Sequence, residues 1–360
     1  MMIKTKVALA VLAAGLSSQV LAVELGEFNG TKFNVGGYLK AETVFDRPDD
    51  GKNTVEGSVR QSRFNLGTSS MVEGHKVRGF IEGDFWDNNT SSDSSYAWRL
   101  RHAYINIDNL TVGQTWNGQF FATAPFDTEM INFWGVGIGT IAGNGAPIRP
   151  DLVVHYTTNG WRFTLQDPVY SNADVPDAVV AYTRRTQSGH AFNVAVTGRE
   201  VDTTPTVDSD DQSDYGVAIS LASKLKFGDT SFSLSAFTGE GAGVYAGWGY
   251  LGSTGYSGVT EVDGNGDMVT LTGFSAGIGH KFSDKLRANL RYGQVHSDKS
   301  ALSEDTIQQT TLNMIYTYLP QVELGIELRD QNAANRPPSS QGTSARPAGS
   351  QVELMAMYKF

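Results

Sequence analysis

The sequence predicts an all-β protein, a transmembrane antiparallel β-barrel of about 16 strands with an inward-folded constriction loop. Three observations carry the prediction. Segments with an apolar residue at every second position recur along the 360 residues, short and long connections separate these segments, and the chain ends on such a segment. A period of two marks a strand with one apolar face. At roughly 21 residues per repeat, each segment has the ~10 residues that a tilted strand needs to cross a bilayer.

The closing segment, residues 352–360, shows the alternation clearly. Its even positions form one apolar face, made of Val352, Leu354, Ala356, Tyr358 and Phe360. The alternation alone fits any half-buried strand. A strand that ends the chain on an aromatic residue resembles the last strand of outer-membrane barrels, and this resemblance favours a barrel.

Earlier segments place charged residues on the face opposite the apolar one. Lys40 and Glu42 oppose Leu39 and Ala41, and the pattern is the same around Arg63. A soluble sandwich is the alternative, with its polar face outside and its apolar face inside. About sixteen long strands exceed what one sandwich usually holds, so the pattern favours the barrel.

The connections between the segments fall into two sizes. Short turns are predicted at 159–160, 227–229 and 283–285. Long connections, rich in Gly, Ser, Asp, Thr and Pro, are predicted at 46–57, 87–97, 117–150, 201–213, 241–267 and 331–349. Such compositions indicate loops rather than helices, and the alternation of sizes is typical of periplasmic turns and extracellular loops.

The amino-terminal residues 1–22 have the pattern of a secretory signal peptide. Lys4 and Lys6 precede an apolar stretch, and small residues ending at Ala22 offer a cleavage site. A retained membrane anchor is the alternative, but the apolar stretch is short for a span. We therefore expect a signal peptide at 1–22 and a barrel domain at 23–360.

Composition and charge exclude several classes of function. The chain has 28 Lys and Arg against 38 Asp and Glu, a formal charge of −10, which argues against a nucleic-acid partner. Cysteine is absent, which excludes disulfides and thiolate metal sites. Neither a cofactor nor a metal is expected.

Four short motifs resemble Gram-negative general porins, and more closely the DcaP-like porins. They are GYLKAE at 37–42, SRFNLG at 62–67, WRLRHAY at 98–104 and VGQTW at 112–116. With the last strand, the resemblance extends over the chain that follows the signal peptide. It implies a sixteen-stranded, trimeric, water-filled channel that its third loop narrows. The DcaP-like members are associated with negatively charged small molecules, including aromatic dicarboxylates.

Residues 117–150 occupy the position of the constriction loop that the resemblance implies. The segment contains Phe120, Phe121 and Trp134 beside the acids Asp127 and Glu129. An exposed loop rarely carries so many aromatic residues, so we expect it to pack against the inner wall. There Asp127 and Glu129 either face the lumen arginines across the pore or bond to the backbone of the loop.

Parity along the strands gives the candidate pore-lining cations. Residues opposite the apolar face point into the lumen, and these include Lys40, Arg63, Arg78, Arg99 and Arg101. Arg99 and Arg101 are assigned there because they oppose Leu100 and Tyr104. The cations either attract anions at the constriction or pair with lumen acids such as Glu42, Glu82 and Asp84, and both roles are compatible.

Signals for an enzyme are poor. None of the six histidines has the spacing of a zinc protease or lies beside a serine with an orienting acid. Residues 263–267, DGNGD, begin like a calcium loop but lack its last ligand, which favours a turn.

The sequence therefore predicts a non-enzymatic, homotrimeric porin in the outer membrane of a Gram-negative bacterium. Its partners would be outer-membrane lipid and small hydrophilic solutes, with small organic anions favoured. A substrate-selective uptake channel for aromatic carboxylates is the second hypothesis. A barrel enzyme and a plugged, adhesive barrel are more distant ones.

Overall fold

A computed structural model describes residues 22–87, 96–119, 126–131, 149–168, 173–204, 211–245, 261–298, 306–332 and 348–360. The predicted signal peptide and Phe120, Phe121 and Trp134 lie outside these ranges. The strands are β1 Val23–Phe28, β2 Thr31–Pro48, β3 Thr54–Ser58, β4 Arg63–Val72, β5 His75–Asp87, β6 Ala97–Ile107, β7 Leu110–Gln114, β8 Val153–Thr158, β9 Trp161–Gln166, β10 Asp177–Arg185, β11 Ala191–Asp202, β12 Ser213–Phe227, β13 Thr230–Glu240, β14 Thr270–Lys281, β15 Leu286–Ser297, β16 Thr306–Leu319, β17 Val322–Gln331 and β18 Gly349–Lys359.

The strands form one closed antiparallel sheet. From β4 onward each strand pairs with the next, and β18 closes the ring on β2 through pairs that run from Gly349↔Pro48 to Lys359↔Tyr38. Two short strands share one flank of β2, because β3 pairs with residues 42–46 and β4 with residues 31–38. Without the short hairpin strand β1, and with β3 and β4 taken as one wall strand, the described chain forms a barrel of sixteen strands, which confirms the predicted fold class.

One strand was not predicted. β1 forms a hairpin with the beginning of β2, from Val23↔Val35 to Phe28↔Thr31. Its turn uses Asn29 and Gly30, both with positive φ, which suits a tight hairpin. β1 thereby covers the edge of β2 that extends past the end of β18, where bare backbone groups would lack partners.

The two faces of the barrel follow the predicted parity. Outward side chains are apolar and exposed, as are Leu39, Leu221 and Leu354. Inward side chains are polar, and many are buried, as are Lys40 and Glu42. Backbone groups in hydrocarbon must pair within the protein, and a closed sheet achieves this. No helix in the described part of the chain is long and apolar enough to cross a membrane.

Parity fails in β6, where the prediction for Tyr104 was wrong. The register shifts between the pairs Glu82↔His102 and Gly83↔Leu100, so that Arg101 occupies a bulge. Residues after the bulge therefore change faces, as bulges commonly cause. Tyr104 pairs with Phe80 and shares the inner face with His102, whereas Leu100 remains outside.

The boundaries of one predicted loop were also wrong. Residues 46–57 were assigned to a connection, but β2 continues to Pro48 and β3 starts at Thr54, with Asp46 opposite Thr54. The predicted turn at 159–160 is a tight hairpin with Asn159 at φ 48° and Gly160 at φ 86°. Gly160 is required there, since a Cβ would lie 2.6 Å from the Thr183 carbonyl oxygen.

Deleting Phe360 should impair assembly of the barrel. Its backbone exchanges two hydrogen bonds with Gly37, of 3.0 and 3.1 Å, and its ring lies 5.4 Å from Phe64. The two hydrogen bonds contribute roughly 2 kcal/mol, and their loss leaves an edge unpaired next to lipid. We expect less heat-modifiable, folded protein in isolated outer membranes, with Phe360→Tyr near the wild-type level. Normal folded yield of the deletion variant would contradict this role.

Candidate functional site

The inner face of the barrel is the candidate site, and residues 118–119 and 126–131 of the β7–β8 connection lie against it. The Gly118 N–H donates to Gln166 Oε1 at 2.8 Å, and Gln119 binds Ser220 and Thr197 at 2.5 and 3.0 Å. A Cβ on Gly118 would come within 2.9 Å of both Val179 and Thr164. Gly118 and Gln119, at the beginning of the predicted constriction loop, therefore pack directly on the wall formed by β9 to β12.

A second set of contacts holds the same loop, at Ile131, on β17 and β2. The Ile131 N–H donates to Glu327 Oε2 at 2.9 Å, and its carbonyl accepts from Lys40 Nζ at 2.6 Å. Its side chain packs with Ile315 and Met355. Residues 129–131 thus run along the inside of β15 to β18 and β2, and Phe126 packs on β11 and β12, which agrees with the predicted inward folding.

Lys40 is an anchoring residue in this arrangement. Besides the loop carbonyl, its ammonium group contacts Glu42 at 2.8 Å, the Gln61 side chain at 2.8 Å and Glu353 at 3.6 Å. Its side chain is only 2% exposed. The structure therefore places Lys40 on the lumen side as predicted, but its charge is committed to the wall and the loop.

The loop acids lie away from the arginines of β4 to β6. Asp127 pairs with Arg291 at 2.9 Å, and Glu129 binds Arg287 through two hydrogen bonds of 2.7 Å. The alternative in which these acids pair with Arg63 and its neighbours is thus corrected, since both arginine partners belong to β15. The other alternative, a bond to the loop backbone, is correct for Asp127, which also accepts the Thr128 N–H at 2.8 Å. Partial desolvation by the surrounding protein opposes ionisation of the half-exposed Glu129, but the hydrogen-bonded Arg287 outweighs this effect and lowers the pKa of Glu129.

Three of the predicted cations come together on β4 and β6. Arg101 binds Glu82 at 3.0 Å and Asp84 at 2.7 Å. Arg99 forms a bidentate ion pair with Asp84, and Arg63 lies 3.4 Å from Glu82. The alternative that lumen arginines pair with lumen acids is therefore correct for this group.

A fourth cation gives the group an excess of positive charge. Arg149 stacks over Trp116 at 4.8 Å and interacts electrostatically with Arg63, Arg99 and Arg101. We call Arg63, Arg99, Arg101 and Arg149 the arginine cluster. Two acids among the described residues, Glu82 and Asp84, face these four cations, which is a formal excess of two positive charges in the described part of the chain. Arg99 is partly open, with a third of its side chain exposed.

Aromatic rings line the arginine cluster. Arg63 lies over the Tyr38 ring at 4.6 Å, and Arg101 lies 5.6 Å from the Trp116 ring. His102 packs on the same Trp116 at 5.1 Å. A guanidinium group over an aromatic face is held in a fixed orientation, and the ring adds apolar surface next to the charge.

Arg78 shares the inner face but not the cluster. Its cross-strand partners are Ser69 and Asn106, whereas Arg63 and Arg99 are paired with Asp84, six residues farther along β5. At ~3.3 Å per residue the two levels are roughly 20 Å apart along the strand. Three of the predicted pore-lining cations, Arg63, Arg99 and Arg101, thus form one compact group, and Arg78 lies at a distance from it.

Two sets of functional candidates were missed. Arg287 and Arg291 lie on the polar side of an alternating segment, so parity could have found them. Arg149 lies near the end of the long connection before β8, where no alternation exists to assign its direction. Its guanidinium group lies over the Trp116 ring. The two residues are far apart in sequence, so no local pattern indicates this contact.

Metal and hydrolytic chemistry have little support in the described residues. No group of three or more acids and histidines is arranged to hold a metal ion in that part of the chain. Asp263 accepts the N–H groups of Asn265 and Asp267 at 2.9 and 3.0 Å and so forms the predicted turn. The buried His155 binds Thr164 and the Trp116 carbonyl.

The barrel matches solved structures of outer-membrane channels. The channel DcaP of Acinetobacter baumannii superposes with a TM-score of 0.72 at 20% identity, over 93% of this chain and 99% of that one. The anion-selective porin from Comamonas acidovorans gives 0.60 at 14% identity, over 92% and 100%. OmpT of Vibrio cholerae, in a trimer form, gives 0.60 at 11% identity, over 92% and 100%.

The chain has a porin fold. No protein-family model and no curated protein sequence matches it. At these low identities the structural matches establish the porin fold and leave solute and selectivity to the chain's own residues. The resemblance to porins, including the DcaP-like ones, is confirmed at this level.

Proposed function

We propose that the protein is an outer-membrane porin through which small hydrophilic solutes diffuse passively, with small organic anions favoured. The porin fold, its exposed apolar outer face and its polar inner face support a channel in a lipid bilayer. The proposed location also rests on the signal peptide predicted at 1–22. No chemical step is involved.

The observation that carries the anion preference is the excess charge of the arginine cluster. A unit charge acts on another at 10 Å in water with ~0.4 kcal/mol. Two excess charges therefore favour an anion over a neutral solute by roughly 0.8 kcal/mol, or about fourfold. The acids of external loops, such as Asp49 and Asp50, compete only weakly where they are more than a Debye length of ~8 Å away.

A second candidate is a substrate-selective uptake channel for aromatic carboxylates. The rings of Tyr38 and Trp116 beside Arg63 and Arg101 favour it. A carboxylate could bind a guanidinium while its aromatic part lies on the neighbouring ring. A barrel enzyme has less support, since the superposed structures are described as channels, a porin and an outer-membrane protein.

A homotrimer is the proposed assembly. One superposed structure is described as a trimer form. Strands β7, β8 and β9 have only five or six residues each, fewer than the ~9–11 that span a bilayer. A neighbouring copy beside this low part of the wall would shield it from lipid.

The experiment for the proposed function is reconstitution of the purified protein. In liposomes it should admit small neutral sugars and exclude larger ones, and in planar bilayers it should give discrete conductance steps. Benzoate in competition with chloride separates the two candidates, since a selective channel should show saturation and block by benzoate. A folded protein without conductance or sugar uptake would refute both.

A further inference from the structure

The described ends of a second connection, residues 241–245 after β13 and 261–269 before β14, also contact the inner wall of the barrel. Both ends carry buried residues: Ala242, Val244 and Tyr245 at one end, Glu261 and Val269 at the other. A backbone hydrogen bond from the Gly241 N–H to the Val269 carbonyl joins the two ends, and the Val269 N–H donates to the Glu261 carbonyl within the second end. External connections of a barrel are usually exposed, so burial at both ends requires a partner surface.

Tyr245 provides the first contact with that surface. Its hydroxyl donates to Asp177 Oδ2 and accepts from Gln166 Nε2 at 2.7 Å. Asp177 begins β10 and Gln166 ends β9, and both side chains face the lumen. Burial, followed by the Asp177 charge, raises the pKa of Tyr245, so the phenol keeps the proton that it donates.

An ion-pair group provides the second contact. Arg199 of β11 donates to Glu261 Oε1 and lies 3.6 Å from Asp177. The Val244 N–H also approaches Glu261, at 3.4 Å, and the Arg199 guanidinium lies 5.6 Å from the Tyr245 ring. One arginine thus holds both ends of the connection on a single patch of wall. Breaking a buried pair on one side is strongly destabilising, so this contact resists detachment.

The patch is far from the strands that carry the connection. Tyr245 follows β13, whereas Asp177 and Gln166 lie three and four strands away in the order β9-β10-β11-β12-β13. At ~4.8 Å per strand the separation is roughly 14–19 Å. Since Asp177, Gln166 and Arg199 point inward, the chain near Tyr245 crosses the inner side of β12 and β11 and takes up cross-section of the pore.

Gln166 joins this segment to the first inward loop. Its Nε2 donates to Tyr245, and its Oε1 accepts from the Gly118 N–H at 2.8 Å. The two connections therefore meet at one side chain on the wall, and each supports the position of the other.

We propose that residues 241–245 and 261–269 form a second, fixed constriction, held on β9 to β11 by Tyr245 and Glu261, which sets the size limit of the pore together with the β7–β8 loop. The inference rests on the proposed channel function. In this inference Tyr245, Glu261, Arg199 and Asp177 are positioning residues. They hold the constricting segment in place, and the segment limits the size of the solute rather than selecting its charge.

The test is the double variant Tyr245→Phe/Glu261→Gln, which removes both contacts with little change of shape. We expect a higher single-channel conductance and a larger size limit for neutral sugars in liposome swelling. The matched control is Tyr292→Phe/Glu240→Gln. Tyr292 bonds to Gln294 and Gln308 on the outer face, and Glu240 is exposed, so the same two chemical changes should leave both readings unaltered.

The outcomes separate the inference from the proposed function. If the wild type conducts and the folded double variant has the same conductance and the same size limit for sugars, the second constriction alone is overturned. A wild type that does not conduct would overturn the channel itself. If the double variant does not fold, judged by heat-modifiable migration, the single variant Tyr245→Phe is measured in its place, and an unchanged sugar limit there would count against the inference.

Discussion

Removing either side of the ion pairs between the β7–β8 loop and β15 should enlarge the pore and move its selectivity in opposite directions. The pairs are Asp127–Arg291 and Glu129–Arg287. Both Asp127→Asn/Glu129→Gln and Arg287→Gln/Arg291→Gln release the loop from this wall. The first variant removes two negative charges and leaves Arg287 with Glu323 at 3.1 Å, and the second removes two positive charges beside the loop acids.

The expected size of the effect differs between the two pairs. Arg291 is almost fully buried, so its loss leaves an acid with little solvent, at a cost of about 3 kcal/mol or more. Glu129 is 44% exposed, so its pair contributes less. Unpaired charges about 10 Å from a solute contribute ~0.4 kcal/mol each, and the two variants should therefore differ about fifteenfold in anion preference, since they differ by four charges.

Conductance and zero-current potential in planar bilayers provide the measurements. The acid-free variant should become more anion-selective than the wild type and the arginine-free variant less so, while conductance rises in both. Asn313→Ala serves as a control, because it removes hydrogen bonds to the Glu129 carbonyl and to the Glu327 carboxylate and should loosen the loop while the net charge stays the same. Equal shifts of selectivity in the two charge variants would contradict the assigned pairs.

Replacing Arg63, Arg99 and Arg101 by Gln should shift the pore towards cations. Glu82 and Asp84 would then remain against Arg149 alone. Three charges at ~10 Å amount to roughly 1.2 kcal/mol, close to a tenfold change in anion preference. The shift should fade in 1 M salt, where the Debye length is ~3 Å.

The matched control for this triple variant is Arg78→Gln on the same inner face. Arg78 lies some six residues along β5 from the cluster, so its replacement should shift selectivity less than Arg99→Gln does. Zero-current potentials are measured at low and high salt for the wild type, the triple variant and the two single variants Arg78→Gln and Arg99→Gln. A triple variant with wild-type selectivity would remove the arginine cluster from the mechanism.

The alternation of side chains was enough to predict the barrel. A period of two is a local property of a strand, and closure follows because lipid cannot satisfy an open edge. Leu39 outside and Lys40 inside were therefore predicted correctly from their neighbours alone. The same rule failed at Tyr104, because one extra residue in a bulge reverses every later side chain and leaves no mark in the composition.

The partners of the loops could not be predicted from periodicity. Asp127 pairs with Arg291, 164 residues away in sequence, and Tyr245 donates a hydrogen bond to Asp177, 68 residues away. Which wall a loop meets depends on the closed barrel and on shape within it, and neither is encoded in a local pattern. The aromatic content of 117–150 predicted only that the loop packs inward.

The zero-current potential of the wild-type channel in a gradient of potassium chloride tests the central claim most directly. The excess charge of the arginine cluster should make chloride the more permeant ion at low salt, with the preference reduced at high salt by screening. A potential of the sign for potassium, or none at any salt concentration, would contradict a pore whose ion preference is set by the arginine cluster.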